Sequence, residues 1–393
     1  MRSVTGAPVE GDDFFDRAQE QRQMWRRLES DSLLLLAPRR IGKTSLMRAL
    51  CADAADHGFR AMGLSFAPCE DEMGCIQELA KAVAAAESGI GADLARLQKG
   101  LAARLPNLKS IKIGPVGIDL AATDNPGWRA VGEALAAGIG DLDGRWLICV
   151  DEVPVFLLKL LGQDDGRERV RGFLYWLRNL RQDHHGGIRW VLAGSIGLDT
   201  VAARLGLGDT VNDLVPTPLG AFDPATADRF LQSLAESYAI RLTKPLRARL
   251  IEQLGWPVPY YLQIAFSKLY DLCDAGAKPS AMLVDQVFVE LLGPSHKGYF
   301  DYWRQRLGEE LGTPDDGYAV HLLNHCCRDP QGAGRATLKL AMGERVQDPD
   351  ACEERLRYLL DILESDGYLF QVEGRYRFRL DLLRRYWQAR VAL

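Results

Sequence analysis

Three adjacent residues, Gly42-Lys43-Thr44, set a glycine, a long flexible cation and a short hydroxyl side by side. A lysine there reaches the β and γ phosphates of a polyphosphate as a point charge, and the threonine hydroxyl takes one coordination position on Mg²⁺. Pro38, Arg39, Arg40 and Ile41 precede them and Ser45 follows, so residues 38–45 form the candidate phosphate loop. Ala37 stands where the pattern G-x-x-x-x-G-K-[ST] has its first glycine, a departure of one methyl group. The second chemical signal is Asp151-Glu152, directly after the apolar run Trp146–Val150. Phosphoryl transfer needs a carboxylate that holds Mg²⁺ and a group that orients the attacking water. Asp151 suits the first task, beside Thr44 as a metal ligand, and Glu152 suits the second, beside Lys43. Taken alone, the same two acids read equally as a helix N-cap with a spare carboxylate.

These groups work only if their elements bring them together. Leu33–Leu36 is a continuous apolar run, suited to a strand buried on both faces, and a helix beginning near Gly42 turns its free N–H groups and positive dipole end toward the loop. Residues 59–66 read as a second strand, 73–87 as an alanine-rich helix, 126–138 as a further helix, and 146–150 as the strand that delivers Asp151. A helix over 166–181 and a strand over 188–195 follow. Alternating strands and helices predict a parallel sheet with crossovers, whose ligands gather at the carboxyl ends of the strands. Ser195 falls at such an end. In nucleotidases with a strand inserted between the loop and carboxylate strands, a polar residue there senses the γ-phosphate, although a Gly-Ser exit is equally a simple turn. Residues 88–125 break the rhythm; alternation on either side of Gly114–Gly117 predicts a β-hairpin insertion at about 106–122. Arg178, Arg181 and Arg204 are candidates for an arginine finger toward a neighbouring subunit, against the ordinary reading of solvated or locally paired arginines.

The 393 residues, 47% hydrophobic and 26% charged, suffice for two or three packed domains. A net charge of −5 gives no global attraction to nucleic acid or anionic lipid, so any such contact is local. Eight cysteines contain no C-x-x-C pair and no metal-like cluster with histidine, which suits reduced thiols. Met1-Arg2-Ser3-Val4 lacks an apolar signal core and no eighteen apolar residues run together, so a cytoplasmic protein is expected. Before the loop, Phe14 and Phe15 lead into a helix from Ala18, at the usual position of a base pocket or as a staple for that helix.

From residue 222 the pattern changes. Residues 224–238, 245–254 and 259–272 carry apolar spacings of three and four and begin at proline, a helical block over 222–300. His296 and Lys297 sit in a Gly/Pro-flanked linker. Residues 301–393 read as three helices (318–327, 335–342, 351–365) and two short strands around Glu373-Gly374, the order of a winged helix, then a terminal amphipathic helix. The chain is thus divided into an α/β P-loop core (1–221), a helical lid (222–300) and a winged-helix domain (301–393).

Phe15-Asp16-Arg17 before Ala37–Ser45, then Val150-Asp151-Glu152, Gly194-Ser195, Asp209–Asp213 and Gly255–Tyr261, resembles the archaeal-type ATPase family, relatives of the AAA+ and STAND nucleotidases. The resemblance covers most of the chain. It implies ATP bound between the core and a helical lid, with a winged helix behind the lid. Lys43 and Thr44 match the family's Walker A positions, Asp151 and Glu152 its Walker B, and Ser195 its sensor 1. Phe15 and Arg17 match its motif before the loop, and Pro259 and Tyr260 its lid element near the adenine. Pro257 replaces that element's glycine and no lid arginine follows, so the resemblance does not extend to lid sensing by arginine.

The reading that joins these features is an ATP- and Mg²⁺-dependent ATPase, slow or partner-dependent in turnover, that acts as a conformational switch on a protein partner. Two alternatives stand beside it: a module that holds ATP or ADP mainly to fix its shape, and a DNA-binding regulator. Asp348, Asp350, Glu353, Glu354, Asp361, Glu364 and Asp366 make the third winged helix and its flanks acidic against Arg355 and Arg357, which disfavours groove binding. Arg375, Arg377, Arg379, Arg384, Arg385 and Arg390 oppose this, as a basic wing able to hold a phosphate backbone. The sequence leaves the oligomeric state open.

Overall fold

The computed structural model describes residues 1–86, 91–105, 108–114, 117–122, 127–194 and 197–392. They form two compact units: Arg17–Leu36 with Lys43–Leu219, and Met1–Asp16 with Ala37–Gly42 and Gly220–Leu393.

The first unit is built on seven strands: β1 (Leu33–Leu36), β2 (Phe59–Ser65), β3 (Leu108–Gly114), β4 (Gly117–Ala122), β5 (Arg145–Asp151), β6 (Ile188–Ala193) and β7 (Val215–Pro218). Five of them make one sheet in the order β2-β5-β6-β1-β7, and every pairing in it is parallel. All of β6 and nearly all of β5 is buried, as expected of strands covered by helices on both faces. The decisive feature is where β6 lies: Val191 is the partner of Leu33 on one side and of Cys149 on the other, so β6 separates the loop strand from the carboxylate strand. β7 escapes the sequence reading because Val215-Pro216-Thr217-Pro218 resembles a turn. Its prolines are tolerated because β7 occupies the sheet edge, where one side of the strand needs no ladder donor.

β3 and β4 pair antiparallel, with Ile113 opposite Ile118 and Gly114 opposite Gly117, the expected hairpin. Pro115 and Val116 at its tip lie outside the described residues. The same insertion holds a helix the sequence reading did not include, Gly91–Arg104, whose Leu97 and Leu101 are buried one turn apart. Helices Glu72–Ala86, Gly127–Gly140 and Gly166–Asp183 lie within two or three residues of their expected bounds.

Arg181, one of the arginine-finger candidates, is committed elsewhere. It is 3% exposed; its Nε and Nη2 donate to Asp213 at 2.8 and 2.7 Å, and Nη2 also donates to the Thr210 carbonyl at 2.6 Å. An arginine held by three internal acceptors does not reach a neighbouring subunit, so Arg181 is locally paired and not a finger. Arg181→Ala is expected to lower unfolding free energy by about 2–3 kcal/mol, because it strands Asp213 and the Thr210 carbonyl. The urea midpoint measures this loss; an unchanged midpoint would contradict the internal role.

From residue 220 on, the second unit runs through four helices, Pro224–Ser237, Lys244–Leu254, Pro259–Asp274 and Ala281–Leu291. The Asp223 side chain caps the first by accepting from the N–H groups of Ala225 and Thr226, and proline occupies the first turn of the first three. The helices Ala281–Leu291 and Asp301–Leu311 were not in the sequence reading, and His296 and Lys297 fall in a short 3-10 helix, Pro294–Tyr299, instead of a linker. There follow Asp315–Cys326, β8 (Ala333–Gly334), Arg335–Gly343, Pro349–Ser365, β9 (Leu369–Val372), β10 (Arg375–Phe378) and Asp381–Arg390. β10 pairs antiparallel with both β9 and β8, which completes a winged-helix topology. Glu373 (φ 49°) and Gly374 (φ 74°) join β9 to β10 in a two-residue turn with both central residues left-handed, the form whose twist matches a hairpin. The N-terminal segment belongs to this unit: Ser3 N–H donates to the Tyr238 hydroxyl at 3.0 Å and Val4 N–H to Gln263 Oε1 at 2.5 Å. Among the described residues, no helix is long and apolar enough to cross a membrane.

Candidate nucleotide and metal site

In the sheet-bearing unit, the helix Lys43–Asp53 starts at the lysine itself, and Lys43 and Ser45 are buried. Thr44 Oγ1 donates to Asp151 Oδ2 at 2.6 Å, across 107 positions of sequence. This bond joins the start of the helix after β1 to the carboxyl end of β5. Asp151 Oδ1 accepts from the Glu152 N–H at 2.9 Å, and the Asp151 carbonyl accepts from Phe66 N–H at 3.0 Å, so the carboxylate and its backbone are both fixed. Burial pushes the Asp151 pKa above the ordinary carboxylate value, an effect opposed by the Thr44 hydrogen bond and by the Lys43 charge.

Glu152 has φ 56° and ψ 36°, the left-handed region, immediately before the helix Val153–Leu161, and its side chain makes no capping bond. The N-cap reading therefore fails for Glu152. A non-glycine residue in this conformation costs about 1–2 kcal/mol, and such strain gathers at functional sites. A hydroxyl and a carboxylate in contact are the hard oxygen donors that Mg²⁺ takes, with phosphate oxygens and water for its other positions. Among the described residues no group of three or more His, Cys, Asp and Glu side chains is placed to hold a metal ion.

In the other unit, the loop Ala37–Gly42 carries two left-handed residues, Arg40 at φ 68° and Gly42 at φ 104°. A Cβ on Gly42 would meet nothing within 4 Å, so glycine is required there by backbone conformation and not by space. Arg40 lacks that freedom, and its side chain is anchored: the guanidinium carbon lies 4.3 Å from the ring centroid of Tyr260 and 5.6 Å from that of Tyr302. A cation on an aromatic face is worth about 0.5–2 kcal/mol, comparable to the cost of the left-handed turn. Burial raises the Tyr260 pKa while the Arg40 charge pulls it back. Pro259 occupies the first turn of the helix Pro259–Asp274, which presents Tyr260 at its start.

Phe15 packs edge-on against Phe230 at 5.3 Å and Phe222 at 6.2 Å, and Asp16 pairs with Arg229 at 2.6 Å. Arg17 is buried and pairs with Glu20 at 2.7 Å. Asp16 and Arg17 are left-handed in succession, φ 57° and 69°. Arg178 contacts Asp209 at 3.5 Å. Ser195 lies outside the described residues. Sequence reasoning missed Tyr302, which carries no local signal: it is one aromatic among the apolar positions of an unexpected helix.

A five-stranded parallel sheet with one strand inserted between the loop and carboxylate strands, followed by a helical block and a winged helix, defines the class as a P-loop nucleoside triphosphatase fold of the AAA+ kind. Among solved structures, the chain matches a Walker-type ATPase of Pyrococcus abyssi with a TM-score of 0.63 and 18% identity, over 98% of this chain and 99% of that one. The resemblance to archaeal-type ATPases thus holds at the level of the fold. Looser likenesses are the ORC2 protein of Aeropyrum pernix (TM-score 0.49, 13% identity, 100% and 99% covered) and Cdc6p of Pyrobaculum aerophilum (TM-score 0.46, 12% identity, 96% and 95% covered). No protein-family model matches the sequence. No curated protein matches it.

Proposed function

We propose that the chain binds ATP with Mg²⁺ and hydrolyses it, using the change of nucleotide state as a conformational switch on a protein partner. The observation that carries the reading is the 2.6 Å contact of Thr44 with Asp151, on a sheet whose β6 separates the two strands that supply them. Pro38, Arg39, Arg40, Ile41, Gly42, Lys43, Thr44 and Ser45 are assigned to the phosphates, Thr44 and Asp151 to Mg²⁺, and Glu152 to the attacking water. The bound Mg²⁺ would supply neutralisation of charge on the phosphates. Lys43 adds a second positive charge and Glu152 holds a water by its carboxylate. Phe15, Arg17, Pro259 and Tyr260 are assigned to the base end, and Ser195 to sensing of the γ-phosphate, on the family resemblance alone. The division into core (1–221), lid (222–300) and winged helix (301–393) goes with this reading, as does a cytoplasmic location.

The chain's own charges favour a protein over DNA at the winged helix. Arg375 and Arg377 donate to the Gln331 carbonyl at 3.0 and 3.1 Å, Arg379 to the Leu369 carbonyl at 2.9 Å, and Arg390 to the Leu292 carbonyl at 3.4 Å. Arg384 is buried against Asp381, and Arg385 donates to Gln253 at 3.2 Å. Arg355, on the acidic third helix, is paired with Asp315 at 2.6 Å. Arg355 and Arg384, neutralised by carboxylates in this way, release few counterions from a duplex, and release is the main source of non-specific affinity.

Lys43→Ala is the test. In calorimetric titration with ATP and Mg²⁺, the variant is expected to lose more than ten-fold in affinity while keeping the parent's thermal midpoint. Unchanged affinity in the folded variant would remove the site. A parent protein that binds ATP but releases no phosphate, alone or with its partner, would favour the ATP/ADP-holding module.

A further inference from the structure

Phosphate loops are held from below by the sheet and helix they connect, yet here Ala37–Gly42 also meets side chains from the far end of the sequence. Arg40 lies over Tyr260 and, at 5.6 Å, over Tyr302 of the helix Asp301–Leu311. A Cβ on Gly367, in the turn between the helix Pro349–Ser365 and β9, would stand 2.7 Å from Pro38 Cγ and 3.0 Å from Trp256 Cη2. The loop therefore rests in a notch that only glycine leaves open, and φ 81° at Gly367 adds a second reason for glycine.

The seat is rigid. The Tyr302 hydroxyl is 3.1 Å from that of Tyr261, which donates to the Tyr299 carbonyl at 3.0 Å and accepts from Trp303 Nε1 at 2.8 Å. Trp303 in turn packs edge-on against Tyr368 at 4.7 Å, and the Tyr368 hydroxyl donates to the Trp303 carbonyl at 2.7 Å. Tyr368 follows Gly367 directly, so the ring under Arg40 and the notch around Pro38 are two ends of one buried network. Burial holds the Tyr302 hydroxyl well above the usual tyrosine pKa, so it stays neutral and its ring keeps the cation-attracting face.

We propose that Tyr302 and Gly367 are positioning residues for the phosphate loop: through Arg40 and Pro38 they hold it in its nucleotide-binding conformation, so that the winged-helix region sets nucleotide affinity. The left-handed Arg40 turns successive backbone N–H groups into the concave arrangement that favours an anion, and the seat is what stabilises that turn. Coupling of this kind is reciprocal, so nucleotide in the loop also stabilises the seated winged-helix region. This inference rests on the nucleotide-binding reading above.

The test is titration of the full-length chain with Mg²⁺·ADP by calorimetry, with thermal midpoints recorded for every variant. Tyr302→Leu is expected to weaken ADP about ten-fold, the size of one cation–π contact in a desolvated setting, and Arg40→Ala by at least as much, because it also removes the contact with Tyr260. The double variant is expected to match Arg40→Ala within about two-fold, because Arg40→Ala already removes the contact that Tyr302→Leu removes. Tyr302→Phe keeps the ring and is expected to retain parental affinity, which separates ring contact from loss of the hydroxyl network. Gly367→Ala tests the notch independently and is expected to weaken ADP by a similar factor. Parental affinity in folded Tyr302→Leu or in Gly367→Ala would overturn the proposal, as would Arg40 and Tyr302 effects that multiply. If Lys43→Ala also bound ADP as the parent does, the nucleotide-site reading itself would fall; loss of binding in Lys43→Ala with no effect at Tyr302 and Gly367 would remove only the seat.

Discussion

Glu152→Gln should bind ATP at least as tightly as the parent while releasing phosphate about 100-fold more slowly or worse. The substitution preserves shape and removes the charge proposed to orient and polarise the attacking water; a positioned general base contributes about 10²–10⁴ in rate. It leaves the Asp151 carboxylate and its bond from Thr44 untouched. It also leaves the backbone at position 152 in its left-handed turn. A loss confined to kcat, with affinity intact, is the signature of an interaction that matters in the transition state only. Single-turnover phosphate release beside a binding titration separates the two quantities. Equal turnover in parent and variant would transfer the water-orienting role to another residue; equal loss of binding and turnover would make Glu152 a structural acid.

The largest expected effect on stability is at Arg306, which is fully buried in the helix Asp301–Leu311. It pairs with Glu310 one turn on, and with Asp366 at 3.0 Å. Arg306→Ala removes the only cation of this buried cluster among the described residues and is expected to cost about 3–5 kcal/mol. Chemical denaturation measures it; a change under about 1 kcal/mol would mean that water or a rearranged side chain replaces the guanidinium. The cluster also carries a pH signature. Burial, and then the negative charge of Asp366, push the Glu310 pKa up to about 9, against the pull of Arg306. The folded value lies above the unfolded one of about 4.3, so the folded state keeps a proton that the unfolded chain releases. The contribution is fully present below the unfolded pKa and is lost as pH rises toward about 9. Stability should therefore fall across this window, by about 1 kcal/mol per pH unit at the steepest. Glu310→Gln, which mimics the protonated acid, should flatten that slope and raise stability at the alkaline end. A variant with the parent's pH profile would show that another group carries the proton.

The residue patterns of the candidate site, and the kinds of element around it, are legible from chain neighbours alone. Gly42-Lys43-Thr44 is contiguous, and the apolar run before it and the Asp151-Glu152 pair after β5 are read from neighbouring residues. Helix and strand periodicity likewise made the alternating core and the winged-helix order legible, because both depend on spacings of a few residues. Elements without such a signature were missed: β7, written with two prolines and stable only because it lies at a sheet edge, and the helix Gly91–Arg104 inside a stretch read as an interruption. The place of β6 between β1 and β5 is settled by folding, since strand order depends on which crossovers pack and not on any local pattern. Folding also decides which arginines are available. Arg181 reads in sequence like any surface cation, yet Asp213 and the Thr210 carbonyl, about thirty positions away, consume it. The contacts of Arg40 with Tyr302 and of Pro38 with Gly367 join residues some 260 to 330 positions apart. Chain neighbours carry no trace of partners so distant; the packing of aromatic rings and the room left by one glycine select them.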